Sequence, residues 1–253
     1  MTSNPLPTPA AVPAATGRGS AYDSMRSPFS SLRWLAAGAV LALLAGVSAL
    51  WLDLPLAVWL RGHVSADVDT SFAWIGYLGD SGKYIVVGLA FYIVGLLGAA
   101  RGWPHPLRMR YESMTRGSLL LLSTMAVGGL VVLVLKRGVA RARPELYFEQ
   151  GIYGMGETFS RAQLFNSFPS SHTYAAFSVA VVLGILAPRW RWAFLSLAAL
   201  VAVSRLVNLD HYLSDVMTAA GIAFAVAHGL APRVLGSKYQ WSLRMPWRWW
   251  RRG

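Results

Sequence analysis

Apolar runs long enough to cross a bilayer recur along this chain, and no other feature limits its fold so tightly. They lie near Trp34–Leu52, Tyr84–Ala100, Ser118–Leu135, His172–Ala187, Trp192–Val203 and Ser214–Ala231. A spanning helix needs about 20 such residues, within a range of about 17–25. The fourth and fifth runs are short, and the fifth is expected to continue through Arg205 towards Leu209. With 55% hydrophobic and 13% charged residues, the composition is too apolar for an ordinary soluble domain. The expected fold is all-α, a polytopic membrane protein built as a six-helix bundle. Glycines punctuate the runs (Gly38, Gly46, Gly88, Gly95, Gly129, Gly221), and small residues let helices approach closely where lipid removes the hydrophobic drive. The chain has no cysteine, which excludes disulfide and thiolate chemistry.

The net charge of +12 alternates along the chain. Arg18, Arg26 and Arg33 precede the first run, and Arg101, Arg108, Arg110 and Arg116 separate the second from the third. Arg189 and Arg191 separate the fourth from the fifth, and Arg233, Lys238, Arg244, Arg248, Arg251 and Arg252 follow the sixth. In the intervening loops, 53–83, 136–172 and 204–215, acids nearly balance bases. Basic residues favour the cytoplasmic side. Both termini are therefore expected in the cytoplasm, of a bacterial inner membrane, with those three loops outside. Such alternation does not make the single basic face that a nucleic-acid partner needs.

Three parts follow: a tail over 1–31, a six-helix domain over 32–231 and a basic tail over 232–253. The first is rich in Pro, Ala, Ser and Thr and is expected to be disordered. Arg33 and its apolar run resemble a signal peptide with Val47-Ser48-Ala49 as cleavage site, but five further runs favour a retained helix. Residues 53–83, with Pro55, Trp59, Trp74 and scattered acids, suit short helices at the lipid boundary, and Asp80-Ser81-Gly82-Lys83 suits a turn into the second span. The closing Trp247-Arg248-Trp249-Trp250-Arg251-Arg252 suits anchorage on anionic lipid.

Three polar motifs stand at ends of apolar runs, all on one expected side. The first is Lys136-Arg137-Gly138-Val139-Ala140-Arg141-Ala142-Arg143-Pro144. Lys136 and Arg143 share a helical face if helix persists between them, although Pro144 disfavours it. A basic cluster on the side that disfavours bases needs a reason, and anion binding is one. The second is Asn166-Ser-Phe-Pro-Ser-Ser-His172. Pro169 suits a helix start and Ser170 or Ser171 can cap it, so the free N–H groups, two hydroxyls and His172 can hold a phosphate. The third is Ser204-Arg205 followed by His211 and Asp215. On the opening turns of the sixth helix the latter pair would meet at i, i+4, and the carboxylate would fix the imidazole tautomer.

At these residues the chain resembles the PAP2 superfamily, the type 2 phosphatidic acid phosphatases related to vanadium haloperoxidases. That family shows Lys-x6-Arg-Pro, then Pro-Ser-Gly-His, then Ser-Arg-x5-His-x3-Asp. Here stand Lys136-x6-Arg143-Pro144, Pro169-Ser170-Ser171-His172 and Ser204-Arg205-x5-His211-x3-Asp215. Ser171 replaces the usual glycine and is expected to narrow the phosphate site; Leu209 replaces a glycine common two residues before the histidine. The resemblance implies that His211 attacks phosphorus, that Asp215 holds its imidazole, and that His172 protonates the leaving oxygen and then activates water. It implies that Lys136, Arg143, Arg205, Ser170 and Ser171 bind the phosphoryl oxygens without a metal or other cofactor. The partners are then membrane lipids and a lipid phosphate or pyrophosphate: phosphatidic acid, phosphatidylglycerophosphate, a polyprenyl diphosphate or a lipid A phosphate. A phosphotransferase would use the same site. Two rivals are a metal hydrolase with His172, His211 and Asp215 as ligands, and a non-catalytic anion transporter.

Overall fold

A computed structural model of the chain describes residues 40–159 and 163–236, and these are helical with short connections. Helix α1 runs from Val40 to His63, α2 is Ala66–Gly76 and α3 is Ser81–Ala100. They are followed by α4 (His105–Val139), the short α5 (Pro144–Gln150), α6 (Ser171–Leu186), α7 (Arg191–Val207) and α8 (Leu213–Leu235). Among the described residues, five stretches are long and apolar enough to cross a membrane: α1, α2 with α3, α4, α7 with its leading turn, and α8. The fourth apolar run forms α6, which at 16 residues is shorter than those five. With lipid-facing side chains such as Phe91, Val94, Leu97, Leu130 and Val134 more than half exposed, the chain is an integral membrane protein.

The helices differ from the expected spans at three places. The first does not stop at Leu52 but continues to His63, so residues expected at the lipid boundary extend it. Its π-helical turn, Ser48–Leu52, is closed by the Asp53 N–H on the Ser48 carbonyl. Pro55 explains the wider turn, because its ring excludes the carbonyl four residues back. Val47-Ser48-Ala49 lies inside this helix, with Ser48 buried. The second span gains α2 and a 3-10 turn, Tyr77–Gly79, before the expected turn at Asp80, which caps α3 with its carboxylate accepting the Gly82 N–H at 3.0 Å. The third is 35 residues long and begins well before Ser118. The N-terminal and Trp/Arg-rich tails lie outside the described residues.

Small residues set the core. Ala219, Ala223, Ala227 and Ala231, each fully buried, line one face of α8 at four-residue intervals. They pack on Leu120, Val132, Tyr174, Val181 and Val182 of α4 and α6. Such a stripe lets backbones close together, as packing in lipid requires. Of the glycines marked in the sequence, Gly88 and Gly95 seat α3 on Leu122 and Thr115 of α4, and Gly221 seats α8 on Leu41. Gly46 and Gly129 face open space, and the neighbouring Gly128 receives the Tyr174 ring instead. Gly38 lies outside the described residues. The three polar motifs, excluded from this apolar middle, meet at one end of the bundle.

Candidate active site

The basic motif leaves its helix before it finishes. Helix α4 ends at Val139, and Ala140 is left-handed (φ 46°). Lys136 and Arg143 therefore do not share a helical face; a turn separates them. Lys136, still on α4, donates to the Asn166 carbonyl. Residues 141–143 run back across the site, tied by Ala142 N–H to Gly154 O at 2.9 Å and Arg143 N–H to Leu164 O at 2.9 Å. Arg143 Nη1 reaches Asp210 Oδ1 at 3.4 Å.

The second motif starts α6 with Ser170 as the cap, and Pro169 stands one residue before that cap rather than in the first helical turn. The Ser170 hydroxyl accepts the Thr173 N–H at 3.4 Å. Ser170 is fully buried, and its own N–H reaches the Asp215 carbonyl at 3.3 Å. Ser171 and His172 open the helix, where N–H groups lack intrahelical acceptors. Ser171 is exposed. His172 lies within electrostatic reach of His211, Arg205, Asp210 and Asp80. Its backbone packs on Gly79 so closely that a Cβ there would stand 2.9 Å from the His172 carbonyl. Gly76 gives similar clearance to Arg205, whose Nη1 would be 2.5 Å from an added Cβ.

In the third motif the pairing differs from expectation. Helix α8 begins at Leu213 with Tyr212 as its cap, so His211 stands outside the helix. Asp215 is the third helical residue, and its Oδ2 accepts the Tyr212 N–H at 2.9 Å and the Ser167 hydroxyl at 2.5 Å. His211 Nδ1 is 3.7 Å from that oxygen, an ion-pair distance rather than a hydrogen bond. His211 is 4% exposed, and burial holds its imidazole below the ordinary histidine range, with Asp215 opposing and Lys136 and Arg143 assisting. Leu209 has φ 55°, a left-handed conformation that favours glycine; this is one of the two positions where the sequence departs from its resemblance. The turn brings Asp210 onto Arg205, so one carboxylate bridges Arg205 and Arg143.

The structure thus brings Lys136, Arg143, Ser170, His172, Arg205, His211 and Asp215 to one end of the bundle. Several buried polar atoms there lack a protein partner: Arg143 Nε, Arg205 Nε and His211 Nδ1. Buried donors without acceptors are costly, and an oxyanion supplies what two guanidinium groups lack. Among the described residues, no three of His, Cys, Asp and Glu stand together as a metal-ligating set.

Sequence reasoning passed over a second layer. Arg141, 8% exposed, donates to Asp215 Oδ1 at 2.7 Å and to Asp53 Oδ2 at 2.9 Å. Its guanidinium also lies 4.3 Å from the Tyr212 ring centroid. Four cations in nine residues do not reveal which one turns inward. Asp53 offered the signal, since an acid beside an apolar helix requires a buried partner.

This chain matches known proteins across the same region. The family model of the PAP2 superfamily covers residues 117–238. The Lipid A 1-phosphatase of Rhizobium etli is 29% identical over 198 residues, 76% of this chain and 81% of that protein. The Lipid A 1-phosphatase of Rhizobium johnstonii is 30% identical over 162 residues, 62% of this chain and 63% of that protein. Among solved structures, LpxE of Aquifex aeolicus superposes with TM-score 0.51 at 20% identity, covering 70% of this chain and 93% of that one. The transmembrane PAP2 type phosphatidylglycerolphosphate phosphatase of Bacillus subtilis superposes with TM-score 0.54 at 18% identity, covering 78% and 96%. At these identities the two structures share the fold.

Proposed function

We propose that this chain, which belongs to the PAP2 superfamily, is a membrane phosphatase that removes phosphate from a lipid through a phosphohistidine intermediate. The observation that carries this is the gathering of two imidazoles and three cations around buried guanidinium nitrogens that have no acceptor. Phosphoryl transfer asks chiefly for positioning and charge stabilisation, which such a set supplies.

His211 starts neutral, because burial disfavours its charged form. With Nδ1 towards Asp215, Nε2 attacks phosphorus as the phosphorus–oxygen bond to the lipid breaks. Burial and Arg205 disfavour a charged His172, and the anionic phosphate bound beside it opposes them, so that the protonated imidazole gives its proton to the departing oxygen. It then takes a proton from water, whose oxygen displaces His211 and releases phosphate. Lys136, Arg143 and Arg205, with Ser170 and the Ser171 and His172 amides, hold the phosphoryl oxygens. Asp210 withdraws from the arginines as the phosphoryl group replaces its carboxylate.

The names of the two Rhizobium relatives favour a lipid A phosphate as substrate. Alternation of charged loops favours a site facing away from the cytoplasm of a bacterial inner membrane. The test is phosphate release by purified protein in detergent from lipid A, phosphatidic acid, phosphatidylglycerophosphate and a polyprenyl diphosphate. Turnover that resists chelator and is inhibited by vanadate is expected, with lipid A the fastest. Turnover lost to chelator and restored by zinc, or none on any substrate, overturns the proposal.

Gly79 gives a second check. An added methyl meets the His172 Cβ at 2.7 Å and its carbonyl at 2.9 Å, neither of which can swing away. Gly79→Ala is expected to lower kcat roughly 10–100-fold by displacing the histidine. Gly76→Ala is expected to cost less, since the Arg205 side chain it meets is mobile at its tip. Steady-state kinetics of both variants decide the order.

A further inference from the structure

Helix α1 carries a carboxylate that lies in none of the three motifs and precedes the region matched by the family model. Asp53 is 1% exposed. It accepts the Ser48 hydroxyl at 2.8 Å, the Ser214 N–H at 2.9 Å, the Ser214 hydroxyl, and Arg141 Nη2 at 2.9 Å. The same arginine gives Nη1 to Asp215 and, at 2.7 Å, to the Ser214 hydroxyl. One cation is therefore shared between two buried acids, one of which faces His211. The π turn just upstream helps seat Asp53, since Ser48 and Asp53 are joined across it by backbone and by side chain.

The sharing has an electrostatic consequence. A guanidinium devoted to Asp215 alone would cancel the charge that steadies the His211 imidazole. Divided between two carboxylates, it leaves the Asp53–Arg141–Asp215 set with one net negative charge. In a low-dielectric setting that charge is felt strongly. We propose that Asp53 is a positioning residue for His211, acting through Arg141 so that Asp215 keeps the charge that orients the imidazole and stabilises it once phosphorylated. Its catalytic consequence rests on the phosphatase reading above; its effect on His211 does not.

The groups facing His211 are Asp215 on α8, Lys136 on α4, Arg143 on the returning turn and His172 on α6. Asp53 on α1 lines the same small cavity as His211. Asp53 can be neutralised without touching the expected phosphate contacts.

The experiment follows the His211 ring by carbon NMR in the full chain in detergent, with the signal assigned by its loss in His211→Ala. In Asp53→Asn the titration midpoint is expected to fall by about half to one pH unit, because a negative charge has gone. In Arg141→Gln it is expected to rise, because a positive charge has gone. For lipid phosphate release, Asp53→Asn is expected to lose about tenfold in kcat with KM within about twofold. A lower melting temperature with an unmoved His211 midpoint would make Asp53 a structural tie only and overturn the inference. If Asp53→Asn does not fold, Arg141→Gln decides alone, and an unmoved or lowered midpoint overturns it. Midpoints that move as expected in a protein that releases no phosphate would reject the phosphatase reading and keep this one.

Discussion

Replacing His211 with alanine is expected to reduce lipid phosphate release by roughly 10³-fold or more, to the level left by positioning and charge alone. His211 has the right surroundings for a nucleophile: it is buried beside Lys136 and Arg143, with one nitrogen turned to Asp215. Its loss leaves a small space but strands no charge, since its Nδ1 has no hydrogen-bond partner to orphan. The melting temperature in detergent is therefore expected to change little. Acid-quench trapping of labelled phosphate should give a protein-bound product in the parent and none in the variant. Activity near the parent's in His211→Ala would remove the phosphohistidine mechanism and favour an anion-binding role.

Asp215→Asn is the second large effect, and it differs in kind. This carboxylate is wholly buried and accepts from Arg141, Ser167 and the Tyr212 N–H, besides facing His211. Asparagine offers one acceptor and turns a donor towards groups that are themselves donors. Breaking a buried ion pair at one partner costs about 3–5 kcal/mol. Retention of Asp53 on Arg141 should keep the loss at the lower end. Catalysis is expected to fall roughly 10²–10⁴-fold, by analogy with acids that orient a catalytic histidine. The measurements are kcat and the thermal midpoint together. A variant that loses stability but keeps kcat would show Asp215 to be a helix-capping residue alone, since its Tyr212 contact is a cap.

The two variants separate what the sequence made visible from what it hid. His211, His172, Lys136, Arg143, Arg205 and Asp215 were legible because polar residues at the ends of apolar runs stand out, and their spacings fitted one resemblance. Arg141 was not, although it lies between Lys136 and Arg143. Which arginine turns inward depends on the left-handed backbone at Ala140, where α4 gives way to the returning turn. Asp53 falls among the scattered acids assigned to the lipid boundary because the first apolar run ends at Leu52. The helix instead absorbs the proline with a wider turn and carries Asp53 inward. Likewise, Asp215 was expected to hydrogen-bond His211 along a helix. Because α8 starts at Leu213, two residues after His211, the imidazole stands outside the helix and Asp215 serves in its cap.

From its residues alone, this chain is committed to an all-helical membrane protein with three polar clusters at one leaflet. That follows from local chemistry: apolar length sets the spans, and charge, proline and serine set their ends. The contacts among those clusters are a different matter. That Arg141 joins Asp53 to Asp215, that Asp210 spans Arg143 and Arg205, and that Gly79 gives His172 its clearance depend on how helices distant in sequence pack. Only tertiary structure decides such pairings, because a buried charge takes whichever partner the packing brings within reach.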